Sequence, residues 1–195
     1  MAAITSTMLP LGTLAPDFSL PAANPDVAGE TVALADWMDG AKGLVVVFTC
    51  NHCPFAIHVE DRVIELAKAW NAQGVRTVAI SSNDVEAYPQ DDLPHMAERA
   101  AEKGYPFPYL YDESQDVARA YDAACTPDFY LFDADRQLVY RGRLDDSRPA
   151  RHGQPGSAPT TDDLNDAVQA LLDGRPVSEA QIPSMGCNIK WREMA

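Results

Sequence analysis

Gly43-Leu44-Val45-Val46-Val47-Phe48-Thr49-Cys50-Asn51-His52-Cys53-Pro54-Phe55 is the stretch that decides the fold. Gly43 to Thr49 form a nearly continuous apolar run, as a strand buried on both faces requires. Cysteine and proline end that run, and a helical pattern follows. Val59, Val63, Leu66, Ala67 and Trp70 recur at helical spacing, and Gly74 supplies the stop. Val75-Arg76-Thr77-Val78-Ala79-Ile80 is a second β-rich run. Strand, long helix and strand in succession predict a right-handed βαβ unit with parallel strands.

Working outward, Asp17 to Leu20 and Thr31 to Leu34 alternate weakly around the turn-rich segment Pro21 to Gly29, which predicts an N-terminal hairpin. A helix is expected from about Asp92 to Lys103, closed by Gly104, and a short strand within Phe107 to Tyr111. Ser114 is a candidate cap for a helix carrying Val117, Ala118 and Tyr121. Phe129 to Phe132 and Leu138 to Tyr140 flank Asp133-Ala134-Asp135-Arg136 as an antiparallel hairpin. After a polar loop, Asp145 to Pro159, Thr160 or Thr161 is placed to cap a last helix bearing Leu164, Ala167, Val168, Leu171 and Leu172. The order βαβ, helix, β-hairpin, helix is that of a thioredoxin-like three-layer α/β/α sandwich with an N-terminal β-hairpin extension. One domain is expected over residues 1–195, with a core at about 12–174 and a C-terminal tail at 175–195.

The 195 residues carry 15 Lys+Arg against 29 Asp+Glu, a formal charge of −14. That field repels a phosphate backbone, so nucleic acid is not an expected partner. No stretch approaches the ~20 apolar residues of a membrane-spanning helix. Met1 to Gly12 lacks the basic and apolar regions of a signal peptide. A cytoplasmic location is therefore expected. In a reducing compartment, four cysteines read as redox or metal residues rather than as structural staples.

Cys50 and Cys53 lie where a buried strand ends and a helix begins. Two thiols at this spacing can close a small disulfide ring. A thiol at the helix N-terminus also meets unpaired N–H groups and the positive end of the macrodipole. Both favour the thiolate, the nucleophilic form, with a pKa of roughly 3.5–7.5 instead of about 8.5. Zinc is the rival chemistry, but a structural site wants two more ligands at fixed spacing, and no second cysteine knuckle exists. His58 reads as a polar helix residue; His52 reads equally as a stabiliser of a thiolate or as a solvated loop residue. Pro54 suits the first helical position, which would make Cys53 the N-cap and the attacking thiol. A helix starting at Asn51 would instead give that place to Cys50.

Gly12-Thr13-Leu14-Ala15-Pro16-Asp17-Phe18-Ser19-Leu20 resembles the opening of the alkyl hydroperoxide reductase and thiol-specific antioxidant family. Val46 to Phe55 is similar to the active-site segment of the peroxiredoxin-like branch of the thioredoxin superfamily. Thr126-Pro127-Asp128-Phe129-Tyr130-Leu131-Phe132-Asp133 resembles the superfamily's cis-proline segment. Tyr140 to Asp146 and Gly186 to Trp191 also look like motifs of that branch. This resemblance implies an antioxidant oxidoreductase that needs no cofactor. It implies a cis Thr126-Pro127 bond lying against the cysteine pair, backbone hydrogen bonds from Thr126 to a bound thiol substrate, and Cys125 nearby. Cys187 falls where some peroxiredoxins keep a resolving cysteine, although packing is the plainer role for it.

The departures bear on the chemistry. With a peroxiredoxin's attacking cysteine laid on Cys53, that family carries threonine at the place of Cys50 and proline at the place of Val46. Thioredoxin's pair, laid on the same segment, puts the attacking role on Cys50. Arg141 and Arg143 read first as solvated strand-end charges, with Arg143 the better placed of the two to bind a substrate anion. The expected activity is dithiol–disulfide exchange at Cys50 and Cys53, with Cys125 as a further candidate thiol. Thr126, Pro127 and Arg143 would touch substrate. The partners are protein or small-molecule disulfides or peroxides and a thiol reductant. A thiol-dependent peroxidase is the alternative within this class. A copper or zinc carrier using the same cysteines is the alternative outside it. No resident metal is expected.

Overall fold

Every residue from Gly43 to Phe48 is buried, which only a strand in the middle of a covered sheet can achieve. The computed structural model describes residues 3–150 and 153–192. In chain order it runs through strand β1 (Ala3–Thr5), β2 (Ser19–Pro21), the one-turn helix α1 (Pro25–Ala28), β3 (Thr31–Ala33) and the one-turn helix α2 (Leu34–Trp37). The central unit follows as β4 (Gly43–Phe48), α3 (Pro54–Gln73) and β5 (Val75–Ser81). A 3-10 turn at Pro89–Asp91 leads into α4 (Leu93–Lys103), β6 (Tyr109–Tyr111) and α5 (Asp116–Ala120). The chain finishes with β7 (Cys125–Thr126), β8 (Asp128–Asp133), β9 (Leu138–Gly142), α6 (Asp163–Leu172) and β10 (Met185–Asn188).

The main sheet has the order β6-β5-β4-β8-β9. β4 pairs with β5 in parallel and with β8 antiparallel, so it is the central strand. Side chains alternate along it. Val45 and Val47 join one apolar cluster with Ile64 and Trp70 of α3, Met96 of α4 and Leu164 of α6. Leu44, Val46 and Phe48 join the opposite cluster with Leu34 of α2, Val117 of α5 and Leu20 of β2. Both faces are thus covered by helices, and the N-terminal hairpin β2–β3 completes the second face. This is the thioredoxin-like three-layer sandwich. No helix among the described residues is long and apolar enough to cross a membrane.

Several elements end where the sequence places them. Gly74 closes α3 with φ 95°, a left-handed conformation that glycine adopts without a Cβ penalty. Asp92 caps α4 by accepting the His95 N–H at 3.0 Å. The caps of the two later helices differ from expectation. Gln115, not Ser114, is the N-cap of α5, because the buried Asp112 carboxylate takes the Ala118 N–H at 2.9 Å. Asp162 precedes α6, while the Thr160 and Thr161 N–H groups are both drawn to Asp146.

The larger correction concerns the two ends of the chain. Residues 184–190 are not a loose tail. β10 pairs antiparallel with β7 on one side and with β1 on the other, forming a three-stranded sheet of order β1-β10-β7. The 175–195 tail therefore carries a strand of the fold, and its final residues, 193–195, lie outside the described ones.

Candidate active site

The turn from Thr49 to Cys53 links the C-terminal end of β4 to α3. Pro54 is the first helical residue, where its missing N–H has no helical partner to lose, and Cys53 is the N-cap in extended conformation. The two residues between the cysteines are held from the 3-10 turn. The Asn51 N–H donates to Asp91 Oδ1 at 2.8 Å, and Asn51 Nδ2 donates to the Gln90 carbonyl at 2.8 Å. The Tyr109 hydroxyl donates to Asn51 Oδ1 at 3.1 Å. His52 Nδ1 pairs with Asp91 Oδ2 at 2.7 Å, and its ring stacks on Tyr88 with centroids 5.2 Å apart. Asn83 Nδ2 donates to the same Asp91 oxygen at 2.8 Å. A fully buried carboxylate thus gathers three donors and fixes the shape of the cysteine loop.

All four cysteines are buried and none is in a disulfide. The Thr126-Pro127 peptide is cis and faces the pair. Cys50 Sγ lies 3.5 Å from Thr126 Oγ1, and the Cys53 thiol lies 3.0 Å from the Thr126 carbonyl oxygen, to which its neutral form donates. The hydrogen bond from Cys50 is the largest influence on Cys53 and lowers its pKa to about 4, against the opposing effect of burial. Cys187, Thr126 and the Ala56 backbone N–H add to the lowering. The same bond, with burial and the Asp91 charge, pushes Cys50 well above the ordinary thiol range. The two thiols are thus pushed apart, Cys53 toward the thiolate and Cys50 toward the neutral thiol.

The other expected residues divide. Cys125 sits behind the cis peptide with its thiol 3.6 Å from the Pro127 carbonyl, and burial raises it well above the ordinary range, so it stays neutral. Cys187 lies in one apolar cluster with Cys50, Cys53, Phe55 and Ala56. The backbone of Thr126 is paired with Cys187 through the β7–β10 ladder, so this chain's own C-terminal strand occupies it. Arg143 lines a groove beside Pro127 with Phe55, His58, Ser147 and Met185, but its guanidinium is engaged by Asp163 at 2.7 Å. Arg141 is tied to the Leu9 carbonyl and Gln181. His58 is an exposed residue of α3, as expected, and its Nε2 lies 3.0 Å from Ser147 Oγ.

Cys50, His52 and Asp91 bring one ligand-type atom each within 4.8 Å of one another. Both Asp91 oxygens and His52 Nδ1 are already used in hydrogen bonds. Cys50 Sγ and His52 Nε2 are left as donors, fewer than the three protein ligands of an open zinc site.

Asp91, Asn83 and Tyr88 belong to this constellation and do not stand out in the sequence as part of it, whereas Cys187 enters it at a position the family resemblance marks. The helix expected from about Asp92 does begin there, with Asp92 as its cap. Asp91 is claimed by residues 39 and 40 positions earlier, a relation with no local signature.

The comparisons with known proteins agree with this geometry. The pattern of the AhpC/TSA family matches residues 11–141. An uncharacterized conserved protein from Geobacillus kaustophilus is 50% identical, with 100% of this chain and 99% of that one aligned at a TM-score of 0.91. A hypothetical protein from Sinorhizobium meliloti 1021 is 44% identical over 97% of this chain and 99% of that one, at a TM-score of 0.89. Peroxidoxin BcpB from Mycobacterium tuberculosis shares the fold at 18% identity and a TM-score of 0.58, over 84% of this chain and 96% of that one. No curated protein matches the chain. With the family pattern covering more than half of its length, this chain belongs to the AhpC/TSA family and is a peroxiredoxin-like oxidoreductase of the thioredoxin superfamily.

Proposed function

We propose that the protein is a thiol–disulfide oxidoreductase in which Cys53 attacks and Cys50 resolves. What supports this reading is that the two thiols are pushed in opposite directions, Cys53 down and Cys50 up, with Cys53 at the N-cap of α3 and 3.0 Å from the Thr126 carbonyl at the cis Thr126-Pro127 bond. The Cys53 thiolate attacks one sulfur of a substrate disulfide, forming a mixed disulfide and releasing the other sulfur as a thiolate. Cys50 then loses its proton to the departing group and attacks Cys53 Sγ. The substrate leaves as a thiol, and Cys50 and Cys53 are joined. A thiol reductant restores the pair by the reverse exchange.

A peroxide substrate is the second reading, favoured by the family and by the Thr126 hydroxyl beside the pair. The thiolate would attack one peroxide oxygen, the O–O bond would break with the other oxygen leaving as hydroxide or alkoxide, and Cys53 would become a sulfenic acid. Attack by Cys50 would release water and give the same disulfide. Stopped-flow mixing of the reduced protein with hydrogen peroxide and with an aromatic disulfide separates the two. Faster reaction with the disulfide is expected; a preference for peroxide by orders of magnitude would assign peroxidase activity instead.

A further inference from the structure

The thiol of Cys53 has two sulfur neighbours, and only one of them belongs to the cysteine pair. Cys187 shares the buried cluster of Cys50 and Cys53, and its thiol is the second-largest contributor lowering the Cys53 pKa. Chance packing of a C-terminal cysteine is a poor description of how it is held. Cys187 stands opposite Thr126 in the β7–β10 ladder, and the Ile189 N–H continues that ladder to the Ala124 carbonyl at 3.0 Å. Gly186 lies directly on the cis peptide, with no space for a side chain. Beyond the strand, the Lys190 N–H donates to Asn83 Oδ1 at 2.8 Å, and Asn83 is itself bonded to Asp91. The segment that carries Cys187 is therefore anchored to the same scaffold that shapes the Cys50–Cys53 loop.

We infer that Cys187 is a third redox thiol of this centre, exchanging with Cys50 for the disulfide to Cys53. The inference rests on the thiol-redox reading above and adds a step to it. In that step Cys187, deprotonated, attacks Cys53 Sγ of the Cys50–Cys53 disulfide. The old S–S bond breaks, its electron pair leaves on Cys50, and Cys50 takes up the proton that Cys187 lost. Nothing is oxidised or reduced overall, so no further reagent is needed. The new bond joins the start of α3 to β10 and returns Cys50 to its thiol form.

The test uses the full-length protein and 5,5′-dithiobis(2-nitrobenzoate). Wild type and Cys50→Ser, both reduced, receive one equivalent of the reagent, are quenched in acid, and are mapped without reduction. Cys50→Ser is expected to release two thionitrobenzoate ions per chain and to yield a peptide linked through Cys53 and Cys187. The double variant Cys50→Ser/Cys187→Ser is expected to release one and keep the mixed disulfide. Wild type is expected to contain both linkages, Cys50–Cys53 and Cys53–Cys187. Absence of the Cys53–Cys187 peptide from both wild type and Cys50→Ser, with Cys50–Cys53 present in wild type, overturns this inference alone. Absence of any disulfide at Cys53 in wild type removes the proposed function as well.

Discussion

Gly186 lies so close to Thr126 that a Cβ on Gly186 would come 2.0 Å from the Thr126 carbonyl oxygen. The clash is with backbone, which cannot rotate away as a side-chain tip can. β10 is thus fitted to the cis peptide at the one residue type that permits the approach. Gly186→Ala is expected to lift β10 off β7 and to destabilise the protein by about 1–3 kcal/mol, the usual range for overpacking. Urea unfolding compared with wild type measures it. A stability equal to wild type would mean that β10 does not rest on Thr126.

Asp91 is the hub of the cysteine loop. Asp91→Ala leaves the Asn51 N–H, Asn83 Nδ2 and His52 Nδ1 without their acceptor in a buried place. Each such loss costs about 1–3 kcal/mol, so a total of roughly 3 kcal/mol or more is expected in urea unfolding. Asp91→Asn keeps the shape and removes the charge, one of the factors that raise the Cys50 pKa. In this variant Cys50, followed by alkylation in a Cys53→Ser background, is expected to titrate lower than in the background alone. An unchanged titration would show that Asp91 acts only by shape.

Asp128, at the start of β8, is a buried carboxyl whose pKa burial raises to about 7. The native state holds this proton more tightly than the unfolded chain does. Between about pH 4 and pH 7 the native state therefore carries the extra proton, and its stability falls as the pH rises through that window. The slope from this one group is at most about 1.4 kcal/mol per pH unit. Asp128→Asn cannot titrate, so its stability relative to wild type is expected to climb from pH 4 to pH 7 and then level off. A difference independent of pH would contradict the assignment.

The sequence is most legible where one segment decides its own structure. The run Gly43 to Phe48 is apolar throughout because both its faces are covered, and α3 carries its own period and its own glycine stop. Pro54 opens α3 by local chemistry alone, its missing N–H and preset φ suiting the first helical position. The caps of α5 and α6 are less legible, because the neighbouring Asp112 takes the α5 N–H groups ahead of Ser114, and Asp146, 14 and 15 residues away, draws the N–H groups of Thr160 and Thr161. β1 and β10 are too short to show a period, and what makes them strands is pairing between residues 3–5, 125–126 and 185–188. Asp91 enters the site by side-chain hydrogen bonds to residues 39 and 40 positions earlier, which leave no local mark, while Cys187 is legible only as a position in a family motif and its place beside Cys53 depends on the β7–β10 pairing.

The Cys50, His52 and Asp91 cluster makes a definite statement about metal. With both Asp91 oxygens and His52 Nδ1 already hydrogen-bonded, to each other and to Asn51 and Asn83, elemental analysis of protein purified without added metal is expected to find far less than one zinc or copper per chain. Stoichiometric metal that disappears in Cys50→Ser/Cys53→Ser would favour a carrier over a redox enzyme.

The central claim is that Cys53 is a thiolate because Cys50 hydrogen-bonds to it. The most direct measurement is the rate of iodoacetamide alkylation of Cys53 against pH, read by mass spectrometry of the modified peptide in wild type, Cys50→Ser and Cys50→Ala. Wild type is expected to show an inflection near pH 4, because the Cys50 hydrogen bond outweighs burial and brings Cys53 to about 4. Cys50→Ala, which has no donor, is expected to move that inflection upward, and Cys50→Ser, which keeps a hydroxyl donor, to move it less. An inflection for Cys53 near the ordinary thiol value of about 8.5, with Cys50 alkylated at the lower pH, would reverse the roles of the two cysteines and contradict the account.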